Sequence, residues 1–195
     1  MKFEINDALI PGTRLLKEEM GNVTGLGFLS KVFYISDGIM LSQIREVSGI
    51  DGSTLQNWTK RGWVANARLK KYNIDQVAHI LIINMLRACI QLDRIALLLQ
   101  YINGDVDDLS DDIIRDSVLY DYICRVLERL TAHDTCSMAT IKEVIADVIS
   151  DYQEVREGAR DRLMSAMEII IVAYYANLMK HRSDEMLATL MNERF

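Results

Sequence analysis

The sequence predicts a mostly helical protein, and three observations support this. Half of the 195 residues are apolar, which is enough to build a buried core in a chain of this length. Helix breakers are rare, since Pro11 is the one proline and six of the ten glycines precede residue 50. From Leu41 onward, apolar residues recur at helical spacing. We therefore expect a chain of one to two domains with helices through most of its length.

The first 38 residues show no functional motif and are predicted to form a turn-rich arm that packs on the body. Glu4 and Asp7 interrupt the apolar run that a signal peptide would need. The apolar stretch 163–179 contains Ser165, Glu168 and Asn177, so we interpret it as a buried helix. We expect a cytoplasmic protein that does not enter a membrane.

Two short helices are predicted between residues 41 and 61. Leu41, Ile44 and Val47 lie on one face of the first, and the turn residues 48–51 end it. The second, 52–61, has a core face formed by Leu55 and Trp58. Its opposite face is polar and contains Ser53, Gln56, Asn57 and Lys60. We expect this polar face to meet a partner.

A small hairpin is predicted after the second helix. Gly62 stops the helix, and residues 64–72 are too short for another one, so we expect a wing that turns at Asn66. Asn73 is then a predicted N-cap, and a further helix is expected from Leu92 to Ile102. The resulting order is helix, turn, helix, hairpin, helix.

Residues 105–195 are predicted to form an acidic helical domain. Ser110, Ser137 and Ser183 are candidate helix starts, and the strongest element runs from about Tyr152 to His181. Five aspartates between 105 and 112 lack the glycine and the closing glutamate of a calcium loop. We interpret Asp111 and Asp112 as complements to the positive end of a helix that begins near Ser110. No metal or cofactor is expected.

The local charge near the second helix is opposite to that of the whole chain. The net charge is −6, yet residues 53–72 contain five cations and no acid. A helix that enters a major groove needs a hydrogen-bonding tip and cationic flanks, because phosphates supply affinity and base edges supply discrimination. Glutamine and asparagine are the residue types that pair bidentately with adenine. The segment therefore fits duplex DNA.

The residues that form this pattern resemble the N-terminal domain of MerR-type winged helix-turn-helix regulators. The likeness lies in I-x-x-V-S-G-I, S-T-L-x-x-W, R-G-W and K-K-Y, followed by LDRIALLL, within 39–104. More narrowly, STLQNWTKRGWV with ILIINMLR is similar to a bacterial family of unknown function predicted to carry such a domain. The resemblance implies a transcriptional regulator. Such a regulator would read the major groove with helix 52–61 and bind phosphates with the wing 64–72.

The predicted DNA contacts combine the resemblance with the residue chemistry. Base readout is assigned to Ser53, Gln56 and Asn57. Phosphate contacts are assigned to Thr54, Lys60, Arg61, Arg68, Lys70, Lys71 and Tyr72, although the Tyr72 ring has the alternative of packing inward. MerR-type regulators carry Arg and Tyr where this chain has Gln56 and Asn57, so their contacts do not transfer wholesale. Metal sensing does not transfer either, because Cys89, Cys124 and Cys136 form no cluster.

Two other classes of function compete with DNA binding. The first is a protein-interaction module that keeps the helix-turn-helix shape without binding DNA. The second is an enzyme, and its one indication is His133, Asp134 and Cys136 in a predicted loop, without an oxyanion donor. We expect no enzymatic activity. An adaptor would bury the polar face of helix 52–61 or place acids among its cations.

Assembly is predicted from the C-terminal helices. The stretch 169–176 is apolar around its whole circumference, which suits either the centre of a domain or half of a subunit interface. We expect a homodimer through these helices, with a small molecule or a protein as a candidate effector of the second domain.

Overall fold

A computed structural model describes residues 8–131 and 137–192, and within them the protein is mostly helical. Eight α-helices occur in these ranges: α1 Gly25–Val32, α2 Leu41–Ser48, α3 Gly52–Lys60, α4 Ile74–Leu86, α5 Leu92–Asn103, α6 Asp116–Thr131, α7 Met138–Val148 and α8 Ala159–Asn192. Two short strands, β1 Ile39–Met40 and β2 Lys71–Tyr72, pair antiparallel, with Ile39 opposite Tyr72 and Met40 opposite Lys71. The predicted fold class is thus confirmed at the level of a helical protein with a small two-stranded sheet.

The core is organised around α4, which is buried on almost every side. Nine of its residues are buried, and it packs against α6, α8 and α5. One continuous apolar cluster joins residues from α3 and α4 to residues from α6, α7 and α8. Since α3 packs on α2 and α2 packs on α4, the helices of the candidate site are joined to the C-terminal helices through α4.

The segment before α1 is anchored to this core. Ile10 is buried, and the hydroxyl of Tyr120 donates to the carbonyl oxygen of Pro11 at 2.7 Å. Asn84 donates through Nδ2 to the carbonyl oxygens of Gly12, at 2.8 Å, and Ser48, at 3.0 Å. A side chain at position 12 would collide with the Leu81 carbonyl, so the close approach requires glycine. One amide of α4 thereby holds both the arm and the end of α2.

Several predicted helix boundaries are confirmed. Asn73 caps α4, accepting from the backbone N–H of Gln76 at 2.9 Å, and Ser137 caps α7 in the same way. Gly62 follows α3 with a positive φ of 71°, and Gly104 ends α5. These boundaries follow from local chemistry that a sequence displays directly.

Other predicted boundaries are wrong. No helix begins at Ser110, whose N–H donates to Asp108 within a loop, and α6 starts at Asp116 instead. Asp111 and Asp112 consequently precede the helix and are not in its first turn. Ser183 starts nothing, because α8 continues through it to Asn192, and the predicted span from Tyr152 begins only at Ala159.

The helix α8 is long and apolar enough, by length and composition, to span a membrane, and it alone passes that test among the described residues. In its most apolar window 39% of the residues are buried within the protein. The core helix of a soluble protein passes the same test. Its length and composition are therefore weak evidence for a membrane.

Candidate nucleic-acid interface

The turn between α2 and α3 is fixed by buried hydrogen bonds. Gly49 ends α2 in the left-handed conformation, with a φ of 72°, and donates to the carbonyl oxygen of Arg45 at 2.9 Å. The Ser48 hydroxyl donates to the carbonyl oxygen of Ile44 and accepts from the N–H of Ile50. Ile44 and Ile50 are each 1% exposed. The two helices therefore form one rigid unit.

Asp51 caps the start of α3. Its carboxylate accepts from the backbone N–H of Thr54 at 2.9 Å, from the Thr54 hydroxyl at 2.6 Å and from the Ser53 hydroxyl. The hydrogen bonds from Ser53 and Thr54 hold the pKa of Asp51 well below its usual range. The carboxylate is thus ionised at the tip of the helix predicted to enter DNA.

This cap changes how two predicted contacts must work. A phosphate oxygen only accepts hydrogen bonds, so the Thr54 hydroxyl can donate to it only after leaving Asp51. Ser53 is exposed, but its hydroxyl proton is likewise directed to Asp51. The sequence analysis missed Asp51, although an aspartate immediately before Gly-Ser-Thr is a typical N-cap signal.

The helix α3 separates a buried face from a polar face as predicted. Leu55 and Trp58 are each 1% exposed, whereas Gln56, Asn57 and Lys60 are exposed. Arg61 donates through Nε to Asn57 Oδ1 at 3.3 Å, and its guanidinium lies over the Trp63 ring at 5.1 Å. The Asn57 carbonyl oxygen has a second lone pair, and its Nδ2 has no part in the bond to Arg61, so Asn57 can still pair with adenine while Arg61 orients it.

The predicted wing at 64–72 has a different construction. The chain does not turn at Asn66. Val64 is 1% exposed, and Gln76 donates through Nε2 to the carbonyl oxygens of Ala65 and Asn66. These bonds hold 64–66 against α4, so the segment cannot form one strand of a hairpin. Its predicted strand pairing is wrong, and β1 is the partner of β2.

The tight turn lies instead at Leu69 and Lys70. Both residues have positive φ, 51° and 63°. Arg68 and Lys71 close the turn, with each N–H donating to the other's carbonyl oxygen at 2.9 and 3.0 Å. Arg68, Lys70 and Lys71 are exposed as predicted, and Lys71 donates through Nζ to the Ser36 hydroxyl at 3.2 Å. The turn presents its cations to solvent.

Tyr72 occupies the inward-facing alternative. It is 7% exposed within β2, and burial raises the pKa of its hydroxyl, which lies beside Thr59. A ring in this position packs under the sheet and cannot lie along a DNA backbone without unfolding it.

Two further cations, which the sequence analysis missed, flank the turn between α2 and α3. Arg14, from the N-terminal arm, donates through Nε to the Glu46 carbonyl oxygen at 2.7 Å and lies close to Gly49. Arg45, on α2, lies beside Gly52 at the start of α3. Helical spacing could have indicated Arg45. Arg14 could not be found in this way, because its position depends on a long-range contact.

A cleft of about 630 Å³ opens between the end of α3 and the loop 104–115. Arg61 and Trp63 line one side. The other side carries apolar and acidic residues, among them Leu97, Val106, Leu109, Asp93, Asp105, Asp107, Asp112 and Asp116. The acidic loop thus faces the end of the helix whose exposed face lacks acids.

His79 lies at the base of this cleft. Its Nδ1 is 2.9 Å from Asp116 Oδ2, and its Nε2 is 2.9 Å from the Trp63 carbonyl oxygen. Burial lowers the pKa of His79, but the Asp116 carboxylate outweighs burial and the net pKa is raised. Asp112 is close to Asp116, and burial together with that neighbouring charge raises the pKa of Asp112 to about 6.

The remaining candidate residues form no second site. His133, Asp134 and Cys136 lie outside the described residues. Within 8–131 and 137–192, no group of three or more His, Cys, Asp or Glu side chains could hold a metal ion. His181 lies on the exposed part of α8, 3.5 Å from Glu185.

Comparisons with known proteins cover the candidate interface without assigning an activity to it. Residues 28–123 match a family described as a domain of unknown function, DUF1836. The chain is similar to the uncharacterized protein YkrK of Bacillus subtilis strain 168, at 29% identity over 134 residues. That alignment covers 67% of this chain and 54% of YkrK, so the chain spans about half the length of this curated relative. No solved structure gives a significant match.

Proposed function

We propose that the protein is a sequence-specific DNA-binding protein, and a transcriptional regulator, built on a MerR-type winged helix-turn-helix. In this proposal α2 and α3 are the helix-turn-helix, and α3 enters the major groove. The turn at 68–71 serves as a short wing. The observation that carries the proposal is the absence of acids from residues 52 to 74, whose exposed side chains include an amide pair, Lys60 and the cations of the turn.

The chemistry of this surface suits the two tasks of DNA recognition. Gln56 and Asn57 are exposed, uncharged and adjacent, so they can hydrogen-bond to base edges without a charge to desolvate. Arg68, Lys70 and Lys71 are exposed and can pair with phosphates, which releases counterions. Arg14 and Arg45 extend the positive region around the turn between α2 and α3.

A two-fold homodimer through α8 completes the proposal. Such a dimer would present two α3 helices to a palindromic site. The protein is proposed to act in the cytoplasm without enzymatic activity. An effector, if one exists, would bind the C-terminal helices.

A protein-interaction module is the competing function, and two observations favour it. Asp51 places a carboxylate at the tip of α3, where it repels phosphates. Tyr34 and Ile35 are 87% and 93% exposed in the loop before β1, as expected for a surface that meets another protein. The helix-turn-helix shape is compatible with either function.

Selection of bound sequences from random duplexes, followed by binding at several salt concentrations, decides between them. We expect a preferred sequence, and log affinity that falls with log salt at a slope of about −0.9 per phosphate neutralised. Lys70→Ala with Lys71→Ala should weaken binding to all duplexes and flatten the slope by about 2. Gln56→Ala or Asn57→Ala should instead relax base preference, by about 1–3 kcal/mol at the contacted pair.

The matched control is Arg129→Ala with Lys142→Ala, which removes two cations from α6 and α7. It changes the net charge equally but should leave the slope unchanged. The absence of any selected sequence, or equal loss of binding in both double variants, would favour the interaction module.

A further inference from the structure

Leu69 conflicts with its surroundings in two ways. Its side chain is 91% exposed, so it gains nothing from packing on the body. It also occupies the left-handed region, with a φ of 51°, and so does Lys70 after it. A two-residue turn with two positive φ values favours Asn-Gly, and a bulky L-residue is strained there. Strain of this kind is concentrated at functional sites.

The turn is held in one place relative to α3. The reciprocal backbone bonds between Arg68 and Lys71 close it. Lys71 pairs with Met40 at the start of α2, and its side chain reaches Ser36. Because β1 leads directly into α2, and α2 and α3 share a rigid turn, Leu69 is held at one position relative to α3.

The charge around Leu69 indicates what it meets. Arg68, Lys70 and Lys71 surround it, and no acid occurs between residues 52 and 74. An apolar side chain flanked by cations complements a duplex groove, because the groove has stacked bases at its floor and phosphates along both edges. Major and minor grooves alternate along a duplex, so with α3 in a major groove we expect the turn to meet the adjacent minor groove.

We propose that Leu69 is an apolar wedge that enters the minor groove beside the site read by α3 and partly unstacks one base step. Arg68 and Lys70 then contact the phosphates on either side. This inference rests on the proposed DNA-binding function and adds a determinant of specificity to it. The wedge favours an easily unstacked pyrimidine–purine step at a position that no α3 side chain touches.

Leu69→Asn tests the wedge without disturbing the turn. Asparagine adopts the left-handed conformation more readily than leucine, so the thermal midpoint should be equal or higher. Affinity for the selected duplex should fall by about tenfold. A duplex with 2-aminopurine at the flexible step should gain fluorescence with the parent protein and not with Leu69→Asn. The matched control is Leu109→Asn, since Leu109 is 76% exposed but lies in the acidic loop.

Leu69→Gly is the second variant, because glycine removes the side chain and suits the same backbone. The wedge is overturned if both variants keep parental affinity and step preference, or if the fluorescence gain persists in them; DNA reading by α3 then still stands. A parent protein that selects no duplex overturns the proposed function itself, and with it the wedge. Parental affinity with Leu109→Asn, and loss with both Leu69 variants, supports the wedge.

Discussion

Three ionisable side chains, His79, Asp112 and Asp116, lie close together near the end of α3. His79 points one ring nitrogen at a carboxylate and the other at a backbone carbonyl, and both groups only accept hydrogen bonds. With Asp116 ionised, both nitrogens carry protons and the ring is an imidazolium. The cation joins the Trp63 backbone to α6 and thereby fixes the chain that follows α3. Its raised pKa contributes stability that is complete below about pH 6.5 and declines as the pH rises through the folded value.

The raised pKa of Asp112 makes the stability of the protein depend on pH. Its pKa is about 6 in the folded state against an ordinary value of 3.8, so protonation of Asp112 favours the folded state. The resulting stability is present below pH 3.8 and is lost as the pH rises through about 6. Asp112→Asn should therefore raise the free energy of unfolding at pH 8 and have little effect near pH 3.5, where Asp112 is protonated in both the folded and the unfolded state. Urea unfolding at both pH values measures this.

Asp107→Asn is the control, because Asp107 is an exposed aspartate of the same loop. An equal gain from both substitutions would show that the loop's total charge matters and that the position of Asp112 does not. A gain in unfolding free energy that is the same at pH 3.5 and at pH 8 would contradict the raised pKa of Asp112.

Elements defined by local chemistry were predictable from the sequence, and those defined by distant contacts were not. The core face of α3, its stop at Gly62 and the cap at Asn73 each follow from residues within one or two turns of helix. The turn at Asn66 failed because Gln76 binds the carbonyls of 65 and 66, and nothing local shows that. Asparagine is the better turn residue, yet the chain turns at Leu69 and Lys70 because β2 pairs with β1.

The boundary errors in the C-terminal half have two causes, one a contact from outside the segment and the other a local ion pair. Asn103 Oδ1 accepts from the N–H groups of Ile113 and Ile114, so these amides are satisfied without a helix beginning at Ser110. Lys180 pairs with Asp184 at 2.7 Å across Ser183 and supports continuation of α8 there. For the interface itself, exposure of Gln56, Asn57 and the cations was predictable. The inward packing of Tyr72 was one of two predicted alternatives, and the hydrogen bonds of Ser53 and Thr54 to Asp51 were missed although the N-cap signal is local.

The N-terminal cap of α4 is expected to stabilise the folded protein. Asn73 and Gln76 form a reciprocal capping box, at 2.9 and 3.0 Å, and Gln76 also holds the segment before the wing. Asn73→Ala should lower the free energy of unfolding by about 1 kcal/mol, because a backbone donor loses its partner. Chemical unfolding measures the change. Asn66→Ala is the control, since only the Asn66 backbone takes part, and an equal cost in both would show that the cap is not responsible.

The long helix α8 has a buried part, which packs in the core, and an exposed part near its C-terminal end. Its buried residues run from Ala159 to Tyr174, and half of the apolar stretch 169–176 belongs to the chain's own core. Ile170 is 0% exposed, and replacing it would unfold the protein before it tested assembly. Beyond Leu178 the helix is exposed, with large apolar side chains at Met186, Leu187, Leu190 and Met191. This exposed end is where the proposed dimer would pair.

The dimer can be tested by a substitution that preserves helix and charge. Met186→Glu with Leu190→Lys replaces two apolar residues four positions apart by an ion pair in the favourable order, so α8 stays folded and the net charge stays constant. We expect sedimentation of the parent protein as a dimer at micromolar concentration and of the variant as a monomer. Affinity for a palindromic duplex should fall, whereas affinity for a half-site should not, because each protomer keeps its own α3.

Ala188→Glu with Asn192→Lys makes the same ion pair on the opposite side of the same segment and should leave the mass unchanged. A parent protein that sediments as a monomer, or a variant that remains a dimer, would show that two copies do not pair through this end of α8.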